Sequence, residues 1–255
     1  LDINQVANRA LGLNRKGFLR FSWRRAVLQS DRDIVRALPL FRDMEENNFN
    51  YLMATAELQR VPHHVTLILE GTLPDFLHVV INGSVEIFCT HDGHETIIDI
   101  MQPSAAFILA SVIRNDIYLS SARTLTPSQI LSIPTRQIRD VFDRDPTFAR
   151  EIALELAEHH RSAVRALMDK KLRTGTKRLA NWILRTNAMQ GNQRTIELTL
   201  EKRTLASSLG MTPENLSRSL ARLSKYGVRS SGREIVIEDS FALERFAKPN
   251  TLIDG

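Results

Sequence analysis

One cysteine, Cys89, stands in 255 residues. It excludes a disulfide within the chain and an iron–sulfur cluster held by several thiolates, and it suits a reducing compartment. No run of about 18 apolar residues occurs, which argues against a membrane-spanning helix. No secretory signal pattern is visible, so the expectation is a cytoplasmic protein without a membrane partner. Nucleophile elbow, phosphate loop and paired carboxylates are all absent in any convincing context, which argues against an enzyme. What is present is material for real cores: 43% of residues are hydrophobic, in a length that suggests one large or two medium domains.

The net charge of +5 is unevenly spread. Residues 161–229 hold 15 Lys or Arg against 4 Asp or Glu, and residues 31–160 hold 10 against 19. A basic block downstream of an acidic one is the footprint of a separate domain that meets a polyanion.

That block contains LEKRTLASSLGMTPENLSRSLARLSKY, residues 200–226. Leu205 and Leu209 share one face of a first helix, and Ala206 is small enough for a second helix to cross close to it. Gly210 supplies a flexible turn, Thr212 an N-cap and Pro213 a first helical position. Leu216, Leu220 and Leu223 form a buried stripe at spacings of four and three. Glu214, Ser217, Arg218 and Arg222 face the other way. This is a helix-turn-helix with one side to hold it and one side to read base edges. The candidate DNA-contacting residues are Lys202, Arg203, Thr212, Glu214, Asn215, Ser217, Arg218 and Arg222. The plainer alternative is an amphipathic helical hairpin with no nucleic-acid role.

The segment resembles the DNA-binding domain of the CRP/FNR superfamily of bacterial transcription regulators. Glu214, Ser217 and Arg218 match the FNR-type E-x-x-S-R pattern, and Pro213 stands where the CRP type has its first arginine. The resemblance implies a half-site related to TTGAT rather than TGTGA, with RNA polymerase as a further partner. Arg218 can be bidentate to guanine, and Glu214 can accept from a cytosine amino group. Ser219 departs from the larger apolar residue usual at its position.

Upstream, the period changes along the chain. Residues 1–30 are basic and carry no assigned fold. Residues 31–50 predict short helices, with Ile34, Leu38 and Phe41 at helical spacing. Residues 52–133 hold short β-rich runs broken by Glu70-Gly71, Asn82-Gly83 and Asp92-Gly93, which predict a small β-barrel or jelly roll. The E-G-x-x-x-D-x-L-x-V-V-x-x-G run from Glu70 to Gly83 resembles the cyclic-nucleotide-binding β-roll of the same superfamily. From Asp145, an N-cap, and Pro146, one long helix runs to residue 172. Its predicted seam is Ile152, Leu156, His159, Ala163 and Leu167, which suggests a parallel homodimer. RTIELTL and REIVIED flank the helix-turn-helix as strands of a wing. The expected fold class is α+β. A basic extension (1–30) precedes a β-roll sensor domain (31–144), a dimerisation helix (145–172) and a winged helix-turn-helix domain (173–255) that binds double-stranded DNA.

Cyclic-nucleotide binders of this superfamily place a Gly-Glu pair on the ribose and an Arg-Ser-Ala triplet on the phosphate. Here the corresponding stretches give a candidate effector pocket of Leu109, Ala110, Ser111, Ser120, Ser121 and Ala122, with His159 and His160 on the long helix. The glutamate aligns with Ala110 and the arginine with Ser120. Arg123 falls on the wrong strand parity to replace it. A buried cyclic phosphate without a cation would cost several kcal/mol, so cAMP and cGMP are not expected as effectors. Haem, a metal ion, another small molecule or a filled, ligand-free core remain. Cys89, His91 and His94 form a C-x-H-x-x-H candidate metal cluster, whose plainer reading is a solvated hairpin tip. Three runs, DFLHVVINGSVEIF, SARTLTPSQILSIP and KRTLASSLGMTPENLSR, are similar to regulators of ferrous-iron transport of the FtrB-type branch, which implies control of iron uptake. The expected mechanism is allosteric: a signal in the β-roll shifts the dimer helices, which set two reading helices about 34 Å apart. An architectural DNA binder that controls no transcription is the alternative.

Overall fold

The computed structural model describes residues 24–254. Most of the basic extension lies outside them, but Arg24–Ala26 forms a strand, β1, so this part has a fold that its composition did not reveal. The chain forms two compact units. One takes residues as far as Glu86 together with Met101–Ile152. The other takes Ile87–Ile100 together with the chain from Ala153. No helix among the described residues is long and apolar enough to cross a membrane.

The first unit opens with three short helices, α1 (Gln29–Arg36), α2 (Pro39–Arg42) and α3 (Glu46–Met53). Pro39 breaks the run, because its ring fits a first helical turn but not an interior. The break resets the helical phase. Val35, Leu38 and Phe41 are buried, and Ile34, expected in that stripe, is 54% exposed.

Among the described residues, eight strands and two helices follow β1 and the three helices: β2 (Glu57–Val61), β3 (Thr66–Ile68), β4 (Phe76–Asn82), β5 (Val85–His91), β6 (His94–Met101), β7 (Ala106–Phe107), α4 (Leu109–Arg114), β8 (Ser121–Thr124), β9 (Ser128–Pro134) and α5 (Thr135–Arg144). They make a five-stranded sheet in the order β1-β2-β9-β4-β7 and a four-stranded sheet in the order β3-β8-β5-β6. β4 pairs antiparallel with β9 from Phe76↔Pro134 to Asn82↔Gln129. Leu77, His78, Val79 and Val80 are buried in succession. That pattern belongs to a strand covered on both faces, and α4 and α5 pack against β4 on one of them. The Asp92-Gly93 pair joins β5 to β6 with both residues at positive φ (49° and 76°), as a two-residue hairpin requires.

The long helix α6 spans Pro146–Leu172. Asp145 fixes its start. Its buried carboxylate accepts from the backbone N–H of Phe148 (3.0 Å), from the N–H of Glu45 (3.1 Å) and from Nδ2 of Asn48 (3.1 Å). One side chain therefore caps α6 and ties it to α3. Phe148 and Ile152 are fully buried, with the Phe148 ring stacked on Phe41 at 6.2 Å.

The second unit continues α6 into α7 (Gly175–Met189), β10 (Thr195–Glu197), α8 (Lys202–Ser208), α9 (Pro213–Leu223), β11 (Val228–Ser231), β12 (Glu234–Ile237), α10 (Ser240–Ala247) and α11 (Thr251–Asp254). The sheet order is β10-β12-β11, antiparallel throughout. Leu179, Ile183, Ile196, Leu205, Leu216, Leu223, Ile235 and Leu243 form its core. Gly227 precedes β11 at φ 74°, and a Cβ there would meet the Asp239 backbone nitrogen at 2.6 Å. Both conformation and space demand glycine. β11 itself is the polar run VRSS, with only Val228 buried, and carries no hydrophobic alternation to announce it.

Burial pushes the Asp145 pKa up, but the donors from Phe148, Asn48 and Glu45 outweigh it and hold the carboxyl below its usual value. The carboxylate therefore contributes stability at pH values above about 3.9, and that contribution fades as pH falls through the lower folded value. Asp145→Ala removes a cap and strands buried donors. We expect a loss of about 2–4 kcal/mol at neutral pH in urea unfolding, shrinking toward pH 3. A loss below about 0.5 kcal/mol contradicts this account of the α6 start.

Candidate nucleic-acid interface

The second helix of the motif, α9, is built by its own first residues. The Thr212 hydroxyl accepts from the Asn215 N–H at 3.3 Å, and Pro213 occupies the first helical turn. The turn before it passes through Gly210 at φ 63°. On the inner face Leu216 and Leu223 are buried and Leu220 is half-buried, against Leu205, Ala206 and Leu209 of the first helix and turn. Ser219 completes that inner face. It is 6% exposed, and its hydroxyl lies 3.2 Å from that of Thr176 in α7. The small side chain that departs from the superfamily pattern thus exchanges an apolar contact for a buried hydroxyl pair.

All eight residues expected to touch DNA are exposed: Lys202, Arg203, Thr212, Glu214, Asn215, Ser217, Arg218 and Arg222. Arg218 donates to Asn215 Oδ1 at 2.7 Å, one turn back, which holds its guanidinium on the solvent face. The Thr212 hydroxyl, with Arg218 nearby, keeps the Glu214 carboxyl below its usual pKa, so it stands ionised as an acceptor. Arg218, Arg222, Lys225 and Arg178 line a groove of about 790 Å³, with Thr174, Thr176 and Ser219 beside them and no carboxylate among the lining residues. A concave cationic face of this kind suits a phosphate backbone beside a groove edge.

Arg178 was not singled out in the sequence, where it is one of many basic residues. It donates from Nε to the Leu209 carbonyl (2.9 Å), from Nη1 to the Arg173 carbonyl (2.9 Å) and from Nη2 to the Gly210 carbonyl (3.3 Å). It ties the turn to the start of α7. In the same unit the Ile97 N–H of β6 donates to Ser207 Oγ of α8 at 2.9 Å, so the β5–β6 hairpin holds the first helix of the motif.

The proposed dimer seam is not one surface. Ile152 is fully buried beside Phe148, Leu156 and His159 are half-buried, and Ala163 and Leu167 are exposed. Ile152 serves the chain's own core and must be withdrawn from the seam. The large exposed apolar residues of α6 are Leu154, Val164, Leu167 and Leu172. His159 lies 3.5 Å from Glu155, whose hydrogen bond and charge raise its pKa against the opposing effect of burial. His160 is exposed.

The candidate effector residues are mostly committed to the fold. Leu109, Ser111, Ser121 and Ala122 are buried, Ser120 is half-buried and Ala110 is exposed. The Ser111 hydroxyl donates to the Ile117 carbonyl (3.2 Å), and Ser121 Oγ accepts from the Glu70 N–H (3.1 Å). Ile108 adopts the left-handed conformation at φ 55°, where a β-branched residue is strained. Arg123 donates to Glu86 on the neighbouring strand β5, from Nε at 2.6 Å and Nη2 at 2.5 Å, and Glu86 is 2% exposed. This buried ion pair was not foreseen, because nothing local relates residues 37 apart.

The C-x-H-x-x-H candidates are not drawn together. Cys89 is half-buried, His94 is exposed, and His91 projects into solvent beside Asp92 at 3.4 Å. Among the described residues no group of three or more His, Cys, Asp or Glu side chains is placed to hold a metal ion.

Residues 58–145 match the cyclic nucleotide-binding domain family, and residues 177–246 match the Crp-like helix-turn-helix domain family. The CRP-like cAMP-activated global transcriptional regulator of Mycobacterium tuberculosis is 28% identical over 226 residues, covering 85% of this chain and 99% of the relative. A regulatory protein from Silicibacter pomeroyi has a similar structure, with TM-score 0.54, 28% identity and coverage of 87% of this chain and 100% of that one. FixK2 from Bradyrhizobium japonicum shares the fold, with TM-score 0.63, 19% identity and coverage of 75% and 96%.

The Glu86–Arg123 pair makes the first unit sensitive to charge deletion. Arg123→Met leaves a carboxylate buried without its ion-pair partner, and thermal unfolding should show a loss of about 3–5 kcal/mol. Adding Glu86→Gln to it should recover much of the loss. A double variant as damaged as the single one would show that the charges matter less than the packing of the Arg123 stem.

Proposed function

Because the chain joins a cyclic nucleotide-binding domain to a Crp-like helix-turn-helix domain, and so belongs to the CRP/FNR family of transcription regulators, we propose that it is a homodimer reading a two-fold DNA site through α9, under a signal other than a cyclic nucleotide in the family's usual pocket. The observation that carries the reading is α9 itself: a capped helix, buried along Leu216, Ser219 and Leu223, that offers Glu214, Asn215, Ser217, Arg218 and Arg222 to solvent. Arg218 takes the guanine and Glu214 the cytosine amino group, while Lys225, Arg178 and the α7 start hold phosphates. The E-x-x-S-R spacing favours an FNR-type half-site.

Two chains meet along α6 in this reading. Leu154, Ala157, Arg161, Val164 and Met168 recur at steps of 3, 4, 3 and 4, a coiled-coil seam on a different face from Ile152. Two-fold symmetry then matches a palindromic site, and RNA polymerase is the partner that converts binding into transcription.

The signal is the second part of the proposal. Its support is chemical: the positions that would take a ribose and a phosphate carry Leu109, Ala110, Ser120 and Ser121, and the nearby cation Arg123 is paired with Glu86. A ligand-independent regulator is a second reading, favoured by the hydrogen bonds that already engage Ser111 and Ser121. The β5–β6 hairpin, bonded to α8 through Ile97, offers a route by which a signal reaches the motif. The target proposed from the similarity to iron-transport regulators is an iron-uptake operon.

Arg218→Ala should cost about 1–3 kcal/mol of binding at the preferred site and relax preference at one guanine per half-site. Binding weakened equally on every sequence would make Arg218 a phosphate contact and remove the direct readout. Native mass spectrometry with an absorption spectrum on the same purified sample tests dimer and signal together. A dimer that gains no mass with cAMP agrees with the proposal. A monomer, or stoichiometric cAMP, contradicts it.

A further inference from the structure

Helix α6 ends at Leu172 and α7 begins at Gly175, so Arg173 and Thr174 are the whole connection between them. Such a short link should pivot freely unless something holds it. The Arg173 side chain is 6% exposed. Its Nη1 donates to Asp169 Oδ1, one turn back in α6, at 3.0 Å, and to Asp254 Oδ1 in α11 at 2.7 Å. Its Nη2 donates to Asp254 Oδ2 at 2.5 Å. Arg185, midway along α7, donates to Asp254 Oδ1 at 2.5 Å, and the Asn250 N–H donates to Oδ2 at 2.8 Å. One carboxylate, 10% exposed, therefore gathers the link, the middle of α7 and its own turn.

We propose that Asp254 is a positioning residue for DNA reading: by clamping Arg173 and Arg185 it fixes the angle at which α7, and the motif packed on it, leaves α6. An ordinary anchor for a short helix would need only one partner. This carboxylate instead bridges two elements on either side of a two-residue link. The fork–fork contact to Arg173 is directional, and burial removes the screening that weakens surface pairs. Two arginines face two aspartates, so the network is balanced as long as every member is present. The chain of bonds does not stop there. Arg178, one turn into α7, returns to the Arg173 carbonyl and reaches the Leu209 and Gly210 carbonyls. A rotation at residues 173–174 would have to break the Arg178–Arg173 bond together with the bonds that Asp254 makes across the link. Burial raises the Asp254 pKa, but the hydrogen bond from Arg173 and the charges of Arg173 and Arg185 pull it below its usual value, so the clamp is ionised at neutral pH.

The inference rests on the reading of the protein as a two-fold DNA binder, for only then does the angle at the link set the distance between two reading helices. The test uses the full chain with Asp254→Asn, Asp254→Glu and Arg173→Lys, each checked for its melting temperature. Affinity is measured on a single half-site, on the preferred palindrome and on palindromes with one base pair added to or removed from the spacer. The wild type should prefer the correct spacing. Asp254→Asn should keep its half-site affinity and lose at least about fivefold of the spacing preference, the low end of couplings between distant sites. Asp254→Glu and Arg173→Lys, which keep charge but not geometry, should fall between. An Asp254→Asn protein with full spacing preference overturns the clamp and leaves the family reading intact. Half-site and palindrome affinities that fall together also overturn it, because Asp254 would then support the fold rather than the angle. A wild type indifferent to spacing overturns both.

Discussion

The burial of one face of α9 against α7 and α8 is the constraint on which the rest depends. Leu216, Ser219 and Leu223 leave water only if the helix lies in one orientation, and that orientation alone turns Arg218 and Arg222 outward. Thr212 and Gly210 decide where the helix starts, so they decide which residues fall on which face. The Ser219–Thr176 hydroxyl pair adds direction to a contact that leucine would have made slippery. Arg178 and Asp254 extend the same order outward, from the turn of the motif to the α6–α7 link. The orientation of that exposed face is therefore a consequence of the packing behind it.

The first unit shows the opposite use of polar groups. In a β-roll that takes a cyclic phosphate, a cation must be left for the ligand. Here Arg123 is spent on Glu86, and the serines near the same strands bond to backbone groups of neighbouring loops. A buried pair of this sort contributes little net stability and makes the loss of either partner costly. In this unit the polar groups are satisfied by one another and by the backbone. The Ile97 N–H of the β5–β6 hairpin, which donates to Ser207 Oγ, lies outside that cluster of satisfied groups.

The parts of the chain that were legible in the sequence are those written in local pattern. The cap at Thr212, the proline after it, the Gly210 turn and the Asp92-Gly93 hairpin each announce themselves within four residues, and the structure places them as expected. The parts that were not legible depend on what covers a face. Helical periodicity put Ile152 with Leu156 and His159, but it cannot say that Ile152 is buried in the chain's own core, as are the stacked Phe148 and Phe41. Ile34 failed for a related reason, since Pro39 reset the phase of the stripe. β11 is polar and was invisible to any search for alternation. Glu86 with Arg123, and Asp254 with Arg173, are meetings of distant segments, which no spacing rule encodes.

The account's central claim is that α9 reads sequence as one half of a two-fold protein. Selection of bound duplexes from a random library, at a fixed and stated salt concentration, tests it most directly. The account predicts an enriched palindrome whose half-sites lie about one helical turn apart, each with an invariant guanine. Affinity that follows salt alone, with no enriched sequence, would contradict it and leave a basic domain that only neutralises phosphate.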